Sequence, residues 1–523
     1  MTPNRKVVTA AEMQSIEQRW FDSGEITLEG LMDRVGRAIA DWVLTDLRAD
    51  LDNSDCDKHI LALVGKGNNG GDALIAGKYL LEAGVSTTAA LVLPRGEEDP
   101  PLDQFVEAGG NMVALQGPAP VREMSDLCEK SDLILDGVFG FSISRSIEEP
   151  ISSLLAIAKS SRKKIVAIDL PSGANPDTGD FDPNGLSANV CLSVGLTKLG
   201  PAIRFGDPAH GDEMVALDVG IPSRLTDHIK REANTTELAR ILLPDRDQTA
   251  HKGDFGRSLL LAGSKTYVGA ASLAAQACVR SGVGLVALAT PISAFQALAG
   301  DVPEATYIPL DEDVNGVVPG PAFDQLQKRI TAMDSVLIGV GIGLSEGARE
   351  LLSRLTSTPH PWKDCTVILD ADGLTLASQM PGWWEVFDGD LIITPHAGEM
   401  SRLLRISVEE VEADRLAAVQ TAAERFNCVA VLKGATTLIA SPDGRVRINM
   451  MPNHGLARGG TGDVLAGLIT GLAAKSNAFD AASLGVSIHS LSAEFARADL
   501  TPYAMTASDL VSRLHMAFRT LAS

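Results

Sequence analysis

Short apolar segments alternate with amphipathic, helix-like segments along most of this 523-residue chain. In the first half, the pattern predicts two helices, over residues 10–20 and about 27–47. The apolar segments that predict strands are residues 59–64, 87–93, 133–135, 165–168 and 190–194. Strands that alternate with helices are typical of a parallel sheet, so we expect a doubly wound α/β domain.

The second half repeats this pattern. Its predicted strands are residues 258–261, 285–289, 336–338, 366–369, 391–393 and 429–432. Ala-rich stretches at 464–474 and 481–496 predict long helices near the end of the chain. The polar stretch 223–248 predicts a linker, and whether part of it is helical stays open. We therefore expect two domains, residues 1–225 and 235–523.

Composition excludes several classes of protein. Hydrophobic residues make up 45% of the chain and charged residues 21%, which is typical of a folded protein. The net charge of −22 argues against binding to nucleic acid or an anionic membrane, although local backbone amides can still hold a small anion. No apolar run approaches the roughly 18 residues of a membrane span. Six widely spaced cysteines without a C-x-x-C pair predict reduced thiols and a cytoplasmic protein.

A glycine-rich segment, residues 65–72 (GKGNNGGD), follows a predicted strand and opens a predicted helix. Glycines allow close approach of a ligand, and the first N–H groups of a helix attract anions. Asn68, Asn69 and Asp72 add polar side chains at the same point. A structural tight turn would explain a glycine-rich loop alone equally well. The segment lacks the Gly-Lys-Ser/Thr ending of a nucleotide-binding P-loop.

Two more predicted strands of the first half end in an acidic residue, Asp136 and Asp169. Ligands bind beyond the carboxyl ends of parallel strands, so we expect these residues and the Asn68–Asp72 loop to converge on one crevice. Either aspartate taken alone could simply cap the next helix.

The segment GGTGDVLAG, residues 459–467, carries the sharpest chemical signal of the second half. Glycines at a helix start align backbone N–H groups as an anion hole. Asp463 within that hole could take a proton from a hydroxyl while a phosphoryl group is transferred to it. An ordinary glycine-rich helix start is the alternative interpretation.

Five polar turns lie next to predicted strands of the second half: four of them follow a strand, and one precedes a strand. They are the segments 251–256 (HKGDFG), 339–343 (GVGIG), 370–373 (DADG), 394–399 (TPHAGE) and 433–437 (KGATT). The KGATT turn could bind nucleotide phosphate or ribose, or be a plain β-turn. The DADG turn suits Mg²⁺ or substrate. His396 could contact a ligand or be a satisfied loop histidine.

Three first-half segments, GKGNNGGDALIAGKYL, DGVFGFSISR and AIDLPSG, resemble the epimerase domain of the NAD(P)H-hydrate repair family. The resemblance implies a Rossmann-like fold that interconverts the R and S forms of NADHX and NADPHX, the cofactors hydrated at C6. It implies Asp169 as the catalytic acid/base and a K⁺ ion held by Asn69, Asp136 and Ser172. The implied substrate contacts are Asn68, Asn69, Gly70, Gly71, Asp72, Gly140, Phe141, Ser142, Ile143, Ser144, Arg145 and Ser146.

Seven second-half segments, among them HKGDFGRSLLLAGS, TPHAGEMSRLL and GGTGDVLAG, resemble the dehydratase of the same family. The resemblance implies a ribokinase-like fold that dehydrates the S hydrate with ADP or ATP. It places Ala270, Gly341, His396 and catalytic Asp463 near the hydrate. The implied nucleotide contacts are Lys433, Gly434, Ala435, Thr436, Thr437 and Gly462.

Together these features predict a bifunctional repair enzyme that uses ADP and Mg²⁺ and releases AMP and phosphate. Its partners would be NADHX or NADPHX and ADP, without nucleic acid or membrane, and we expect a homo-oligomer. One rival is a small-molecule kinase of the ribokinase class with a non-catalytic N-terminal binding domain. GGTGD alone does not exclude that rival, but a simple kinase has no use for the GNNGGD crevice.

Overall fold

The computed structural model describes residues 5–49, 58–116, 119–141, 146–357, 362, 364–387 and 390–522. The chain forms two compact units, Met1–Ala233 and Asn234–Ser523. Within the described residues, no helix is both long and apolar enough to cross a bilayer.

The first unit contains ten strands and seven helices among its described residues. The strands are β1 (Val7–Val8), β2 (His59–Val64), β3 (Ser86–Leu91), β4 (Asn111–Ala114), β5 (Leu133–Gly137), β6 (Lys164–Ile168), β7 (Val190–Val194), β8 (Thr197–Lys198), β9 (Glu213–Leu217) and β10 (Arg231–Ala233). The helices are α1 (Ala10–Asp22), α2 (Leu28–Ala49), α3 (Asn68–Glu82), α4 (Pro100–Glu107), α5 (Pro120–Lys130), α6 (Ile151–Ser160) and α7 (Leu199–Ile203).

Seven strands of this unit form a parallel sheet in the order β4-β3-β2-β5-β6-β7-β9. The chain runs from β2 outwards to β4 and then returns to place β5 on the other side of β2. This reversal creates a switch point, and in open parallel sheets the crevice beyond such a point is the usual ligand site. The expected doubly wound α/β architecture is confirmed.

Local sequence explains why the first helix begins where it does. Thr9 accepts a hydrogen bond from the backbone N–H of Glu12, and the Glu12 carboxylate accepts one from the Thr9 N–H at 2.8 Å. This reciprocal capping box satisfies two N–H groups that the helix cannot pair internally. Met13, Ile16 and Trp20 form its buried face.

The second unit contains nine strands and twelve helices among its described residues. The strands are β11 (Arg257–Leu261), β12 (Leu285–Pro291), β13 (Thr306–Leu310), β14 (Ser335–Ile338), β15 (Thr366–Leu369), β16 (Leu391–Ile393), β17 (Val429–Leu432), β18 (Thr437–Ala440) and β19 (Val446–Asn449). The helices are α8 (Thr236–Leu242), α9 (Val268–Arg280), α10 (Ile292–Leu298), α11 (Phe323–Ile330), α12 (Glu346–Leu355), α13 (Asp372–Ala377), α14 (Ala397–Leu404), α15 (Val408–Ala413), α16 (Arg415–Arg425), α17 (Thr461–Ala473), α18 (Ala478–Ala504) and α19 (Ala507–Ala522).

The strands of the second unit run in the order β13-β12-β11-β14-β15-β16-β17-β18-β19. The pairs from β13 to β17 are parallel, whereas β18 is antiparallel to both of its neighbours. Helix α17 packs closely on α9. A Cβ added to Gly467 would lie only 2.0 Å from the Ala274 carbonyl oxygen, so the contact requires glycine at this position. The Ala-rich composition of these helices permits this approach.

All eleven strands predicted from apolar segments are confirmed, with ends that move by at most two residues or so. The eight strands that were not predicted are β1, β4, β8, β9, β10, β13, β18 and β19, and of these β4 is mostly exposed. The polar stretch 223–248 is not simply a linker. It contains β10 and α8, and α8 is the helical part that the sequence left open.

Candidate active sites

A cleft of about 530 Å³ lies in the first unit, at the carboxyl ends of β2, β5 and β6. Its polar lining includes Asn68, Asn69, Asp72, Asp169 and Lys198. Its apolar lining comes largely from α1 and α2: Phe21, Leu28, Leu31, Met32 and Val35. The three strand ends therefore do meet at one crevice, as the sequence predicts.

Helix α3 begins at this cleft with free amides. Its cap residue, Gly67, provides no side-chain hydrogen bond to the first turn. Asn69 is held in place because its Nδ2 donates to the Phe139 carbonyl oxygen at 3.0 Å. The Asn69 side chain lies beside Gly140, where a Cβ would be 3.4 Å from it. This arrangement suits an anionic or amide-bearing ligand at the helix start.

The predicted loop contacts differ in what they face. Gly140 and Phe141 line the cleft, whereas Gly70 and Gly71 face protein atoms. A Cβ on Gly70 would lie 2.2 Å from the Gly65 carbonyl oxygen, and one on Gly71 would lie 2.7 Å from the Met32 sulfur. Close packing therefore explains why both positions are glycine, without any contact to a ligand. Ser146 is exposed, and Ser142, Ile143, Ser144 and Arg145 lie outside the described residues.

Asp136 and Ser172 form a fully buried network below the cleft. The Ser172 hydroxyl donates to Asp136 Oδ1 at 2.6 Å, and the Ser172 N–H donates to Oδ2 at 2.8 Å. The same hydroxyl accepts from the Phe139 N–H at 3.0 Å. Burial raises the pKa of Asp136 to about 6, although these hydrogen bonds lower it. A buried carboxylate with hydroxyl and amide oxygens nearby fits a hard monovalent cation.

Asp169 occupies a conformation that the sequence gives no sign of. Its φ is +68°, in the left-handed region that is uncommon for residues other than glycine. It forms an ion pair with Lys198, and both residues are buried. The Val194 N–H donates to Asp169 at 3.2 Å, and Lys198 donates to the Val194 carbonyl oxygen at 2.8 Å. An ion-paired carboxylate with a strained backbone at a cleft is typical of a functional position.

Two more acids line this cleft, Glu17 and Asp72. Burial raises the pKa of Glu17 to about 7; the Lys198 ammonium lowers it and the Asp169 carboxylate raises it. Burial also raises the pKa of Asp72 well above its usual value, and the charges of Asp169 and Glu17 add to the effect. The sequence analysis missed Glu17. The available signal was an acidic residue on the face of α1 that carries Met13 and Trp20.

Lys433 organises the candidate site of the second unit. Its ammonium donates to Asp370 Oδ1 at 2.7 Å and lies 3.8 Å from Glu399 Oε2. Burial lowers the pKa of Lys433, but the Asp370, Glu399 and Asp463 carboxylates outweigh this and raise it. A Cβ on Gly462 would lie 3.5 Å from the same ammonium. The predicted KGATT turn and the GGTGD helix start are therefore adjacent.

Asp463 lies in the first turn of α17, whose cap residue, Gly460, has a φ of +94° and provides no side-chain hydrogen bond. The first amides of α17 are therefore left for a ligand, as expected of an anion hole. Burial, together with the Asp370 charge, raises the pKa of Asp463 to about 7, although the Lys433 ammonium lowers it. A carboxyl group with such a pKa can exchange a proton near neutral pH.

The predicted hydrate contacts Ala270 and Gly341 lie together, because a Cβ on Gly341 would be 3.0 Å from the Ala270 Cβ. Gly341 has a φ of +65°, which favours glycine. Asp372 accepts a hydrogen bond from the Gly343 N–H at 2.9 Å and so fixes the GVGIG turn. Burial raises the pKa of Asp372, as does the nearby Asp370 charge.

His396 has a structural role that accounts for one ring nitrogen. Its Nδ1 accepts from the N–H groups of Gly398 and Glu399 at 3.0 and 3.3 Å and so caps α14. Burial lowers its pKa, and the Lys433 charge lowers it further. Its Nε2 lies 3.5 Å from Glu399 Oε1, and the side chain is 56% exposed. Only this second nitrogen is in a position to meet a ligand.

Arg415 holds the KGATT turn, and the sequence analysis missed it. Its guanidinium donates to the carbonyl oxygens of Leu432, Lys433 and Thr436 at 3.2–3.3 Å. Of the predicted nucleotide contacts, Thr436 is buried, whereas Gly434, Ala435 and Thr437 are at least partly accessible. The turn is therefore held by contacts from outside its own backbone. It is fixed from behind by a buried cation.

Among the described residues, no group of three or more His, Cys, Asp or Glu is arranged to hold a metal ion. Mg²⁺ bound with a nucleotide needs only one or two carboxylates, since phosphates and water complete its shell. Asp370 and Asp372 fit that smaller requirement.

Comparison with known proteins gives a consistent result over both units. Residues 258–515 match the family described as NAD(P)H-hydrate dehydratase, and residues 28–200 match the family described as YjeF-related protein N-terminus. The chain is 32% identical to a bifunctional NAD(P)H-hydrate repair enzyme of Moorella thermoacetica, over 98% of this chain and 97% of that one. It is 34% identical to the corresponding enzyme of Gloeobacter violaceus, over 92% and 91% of the two chains.

A solved structure also matches the second half. It is the ADP/ATP-dependent NAD(P)H-hydrate dehydratase from Bacillus subtilis, co-crystallised with ATP and Mg²⁺. The sequences are 31% identical, and the match covers 55% of this chain and 98% of that one, with a TM-score of 0.47.

Proposed function

Because the chain belongs to the family of bifunctional NAD(P)H-hydrate repair enzymes, we propose that its two units catalyse successive steps of one repair. The first unit interconverts the R and S forms of NADHX and NADPHX. The second unit dehydrates the S form to NADH or NADPH at the expense of ADP. Both epimers of the damaged cofactor are thereby recovered.

In the first unit, Asp169 is the catalytic acid/base beside the nicotinamide ring. The observation that supports this most directly is its buried ion pair with Lys198 at the wall of the cleft. The start of α3, with Asn68, Asn69 and Asp72, would hold the substrate together with the loop from Gly140 to Ser146. Free amides at that helix start suit the pyrophosphate of a dinucleotide.

A K⁺ ion would be held by Asn69, Asp136 and Ser172. When bound, it supplies positive charge that favours the ionised form of Asp136 and attracts an anionic ligand. Asp136 fixes Ser172, and Ser172 fixes the backbone of Phe139. These residues therefore join the ends of β5 and β6 beneath the substrate.

In the second unit, Asp463 takes the proton from the C6 hydroxyl as that oxygen attacks the terminal phosphoryl group of ADP. The amides of GGTGD stabilise the transferred phosphoryl group, and AMP leaves. The C6–O bond then breaks with help from the ring nitrogen, phosphate departs, and loss of the C5 proton gives the dihydronicotinamide. Asp463 and the free α17 amides beside Lys433 carry this proposal.

The remaining contacts follow from the same geometry. The nucleotide would lie against Gly462 and the KGATT turn, with Lys433, Gly434, Ala435, Thr436 and Thr437. The hydrate would lie near Ala270, Gly341 and His396. Mg²⁺ would be held by Asp370 or Asp372, directly or through water, and would neutralise phosphate charge.

A cytoplasmic, homo-oligomeric protein is a further expectation. The five described cysteines, Cys128, Cys191, Cys278, Cys365 and Cys428, are free and buried, which suits a reducing compartment; Cys56 lies outside the described residues. Light scattering on the full chain tests the oligomeric state, and a monomer at micromolar concentration would contradict it.

One assay tests both activities. The full chain is incubated with mixed-epimer NADHX, ADP and Mg²⁺, and the absorbance of the regained dihydronicotinamide is followed together with phosphate release. Full recovery of both epimers with one phosphate per cofactor supports the proposal, and a parallel reaction with ATP tests the preference for ADP. Recovery of the S form alone contradicts the epimerase role. Consumption of nucleotide without any dihydronicotinamide favours the kinase alternative.

A further inference from the structure

Among the described residues, Glu17 and Asp72 are the acids lining the first cleft that have no hydrogen-bond or ion-pair partner, whereas Asp169 is paired with Lys198. Glu17 enters the cleft from α1, which precedes the sheet, whereas Asp72 lies in the first turns of α3 and Asp169 directly follows β6. A half-buried acid without a partner costs stability, so its presence at a ligand cleft points to a role in function.

Epimerisation at C6 has a requirement that Asp169 alone does not meet. If the hydroxyl leaves on one face and water adds on the other, one group must give a proton while a second group takes one. Asp169 is fixed by the Lys198 ammonium and the Val194 amide, which suits a proton acceptor. A single carboxylate fixed in this way is poorly arranged to protonate the departing hydroxyl as well. Enzymes that act on both faces of a ring commonly use two carboxyl groups with separated pKa values.

We propose that Glu17 is the second acid–base group of the epimerase site, and that it protonates the C6 hydroxyl while Asp169 deprotonates the incoming water. The C6–O bond breaks, the hydroxyl leaves as water with the Glu17 proton, and the ring nitrogen lone pair forms a C6=N1 bond. Water then attacks C6 from the other face and gives its proton to Asp169. The reverse reaction uses the exchanged protonation state, so the pair holds one proton throughout.

The charges facing Glu17 support this assignment. Asp72 from α3, Asp169 after β6, Lys198 from β8 and Lys66 before α3 share the cleft. Three carboxyl groups meet one buried ammonium, so the cluster retains protons at neutral pH. Burial raises the pKa of Asp72 well above its usual value, and such an acid gives up its proton reluctantly. Glu17, with a pKa of about 7, is better matched to proton transfer near neutral pH.

The proposed role of Glu17 rests on the epimerase function and on the role of Asp169. The experiment below tests each of these three statements. Purified R-NADHX is incubated with the full chain without nucleotide, and formation of the S form is followed by chromatography. We expect Glu17→Gln to lower the rate about 100-fold or more, and Glu17→Asp to recover part of it. The exposed Glu107, at the end of α4, provides the control, since Glu107→Gln should match the wild type. Thermal unfolding of each variant checks that it is folded.

The pH profile distinguishes an acid from a structural residue. In the wild type, the epimerisation rate should fall above about pH 7, where the pair loses its shared proton. This fall should disappear in Glu17→Gln and persist in Asp72→Asn. A Glu17→Gln protein with the wild-type rate and profile overturns the proposal, as does loss of the fall in Asp72→Asn instead. An inactive wild type contradicts the epimerase function itself, whereas an active Asp169→Asn in an active wild-type background contradicts the role of Asp169 and with it the two-carboxyl mechanism.

Discussion

Replacement of Asp463 by asparagine should make the second unit more stable and catalytically inert. Burial raises the pKa of this carboxyl group from 3.8 to about 7. A tenfold change in an equilibrium constant corresponds to about 1.4 kcal/mol, so ionised Asp463 costs the folded state up to about 4 kcal/mol. Asparagine keeps the shape and removes the charge, but its amide remains partly unsatisfied. We therefore expect a net gain of about 2 kcal/mol at pH 8.

The gain should depend on pH in a defined direction. A raised pKa means that the folded protein binds more protons than the unfolded chain between about pH 4 and pH 7. Stability of the wild type therefore falls as the pH rises through this window and is level above it. The asparagine variant lacks this loss. Near pH 4, where Asp463 is protonated in the wild type, only the unsatisfied amide remains and the variant should be the less stable protein, whereas by about pH 8 it should be the more stable one.

Thermal unfolding at pH 5 and pH 8 measures this difference. For a unit of this size, about 2 kcal/mol corresponds to roughly 4–8 °C. The matched control is Asp324→Asn, an exposed aspartate in the first turn of α11, which should change stability by less than about 0.5 kcal/mol. Dehydration of S-NADHX at saturating ADP should fall by about 10²–10⁴-fold in Asp463→Asn. A variant that is destabilised equally at both pH values, or that keeps most of its turnover, would refute the reasoning.

Three further predictions concern groups that fix the sites. Arg415→Ala removes three hydrogen bonds to the KGATT turn and should raise the KM for ADP at least about 10-fold with a smaller effect on kcat; an unchanged KM argues against a nucleotide role for the turn. Gly341→Ala would place a Cβ 2.8 Å from the Tyr267 Cβ, so dehydratase turnover should fall, whereas Gly269→Ala meets no atom within 4 Å and should remain active. Asp136→Asn should abolish any K⁺ dependence of epimerisation; retention of the full K⁺ response would exclude Asp136 as a ligand.

The sequence predicted the parts of both sites that lie at strand ends. Asp136 and Asp169 each follow an apolar run, and parallel strands bring such ends to one edge, so their convergence required no knowledge of side-chain packing. The start of α17 was predictable for a similar reason, because glycines before an apolar helix are a local signal. In each case the information lies within a few residues of the site.

Residues that act on a site from a distant segment escaped prediction. Arg415 is the first residue of α16 and contacts the turn after β17. Nothing in the sequence near Arg415 indicates that contact. The sequence also does not indicate the left-handed backbone conformation of Asp169, because tertiary packing sets the backbone there. For Glu17 the sequence does contain a sign, because it places an acid on an otherwise apolar face of helix α1. That sign becomes meaningful only once α1 is known to border the cleft.

Both candidate sites place one lysine among several buried carboxyl groups, although the folds of the two units differ. In the first, the Lys198 ammonium faces Glu17, Asp72 and Asp169, and in the second, Lys433 faces three acids including Asp463. One cation among several buried acids stabilises one carboxylate and leaves the others short of charge compensation. Burial raises the pKa values of the uncompensated acids, and those of Glu17 and Asp463, at about 7, suit reversible proton transfer at a hydroxyl near neutral pH.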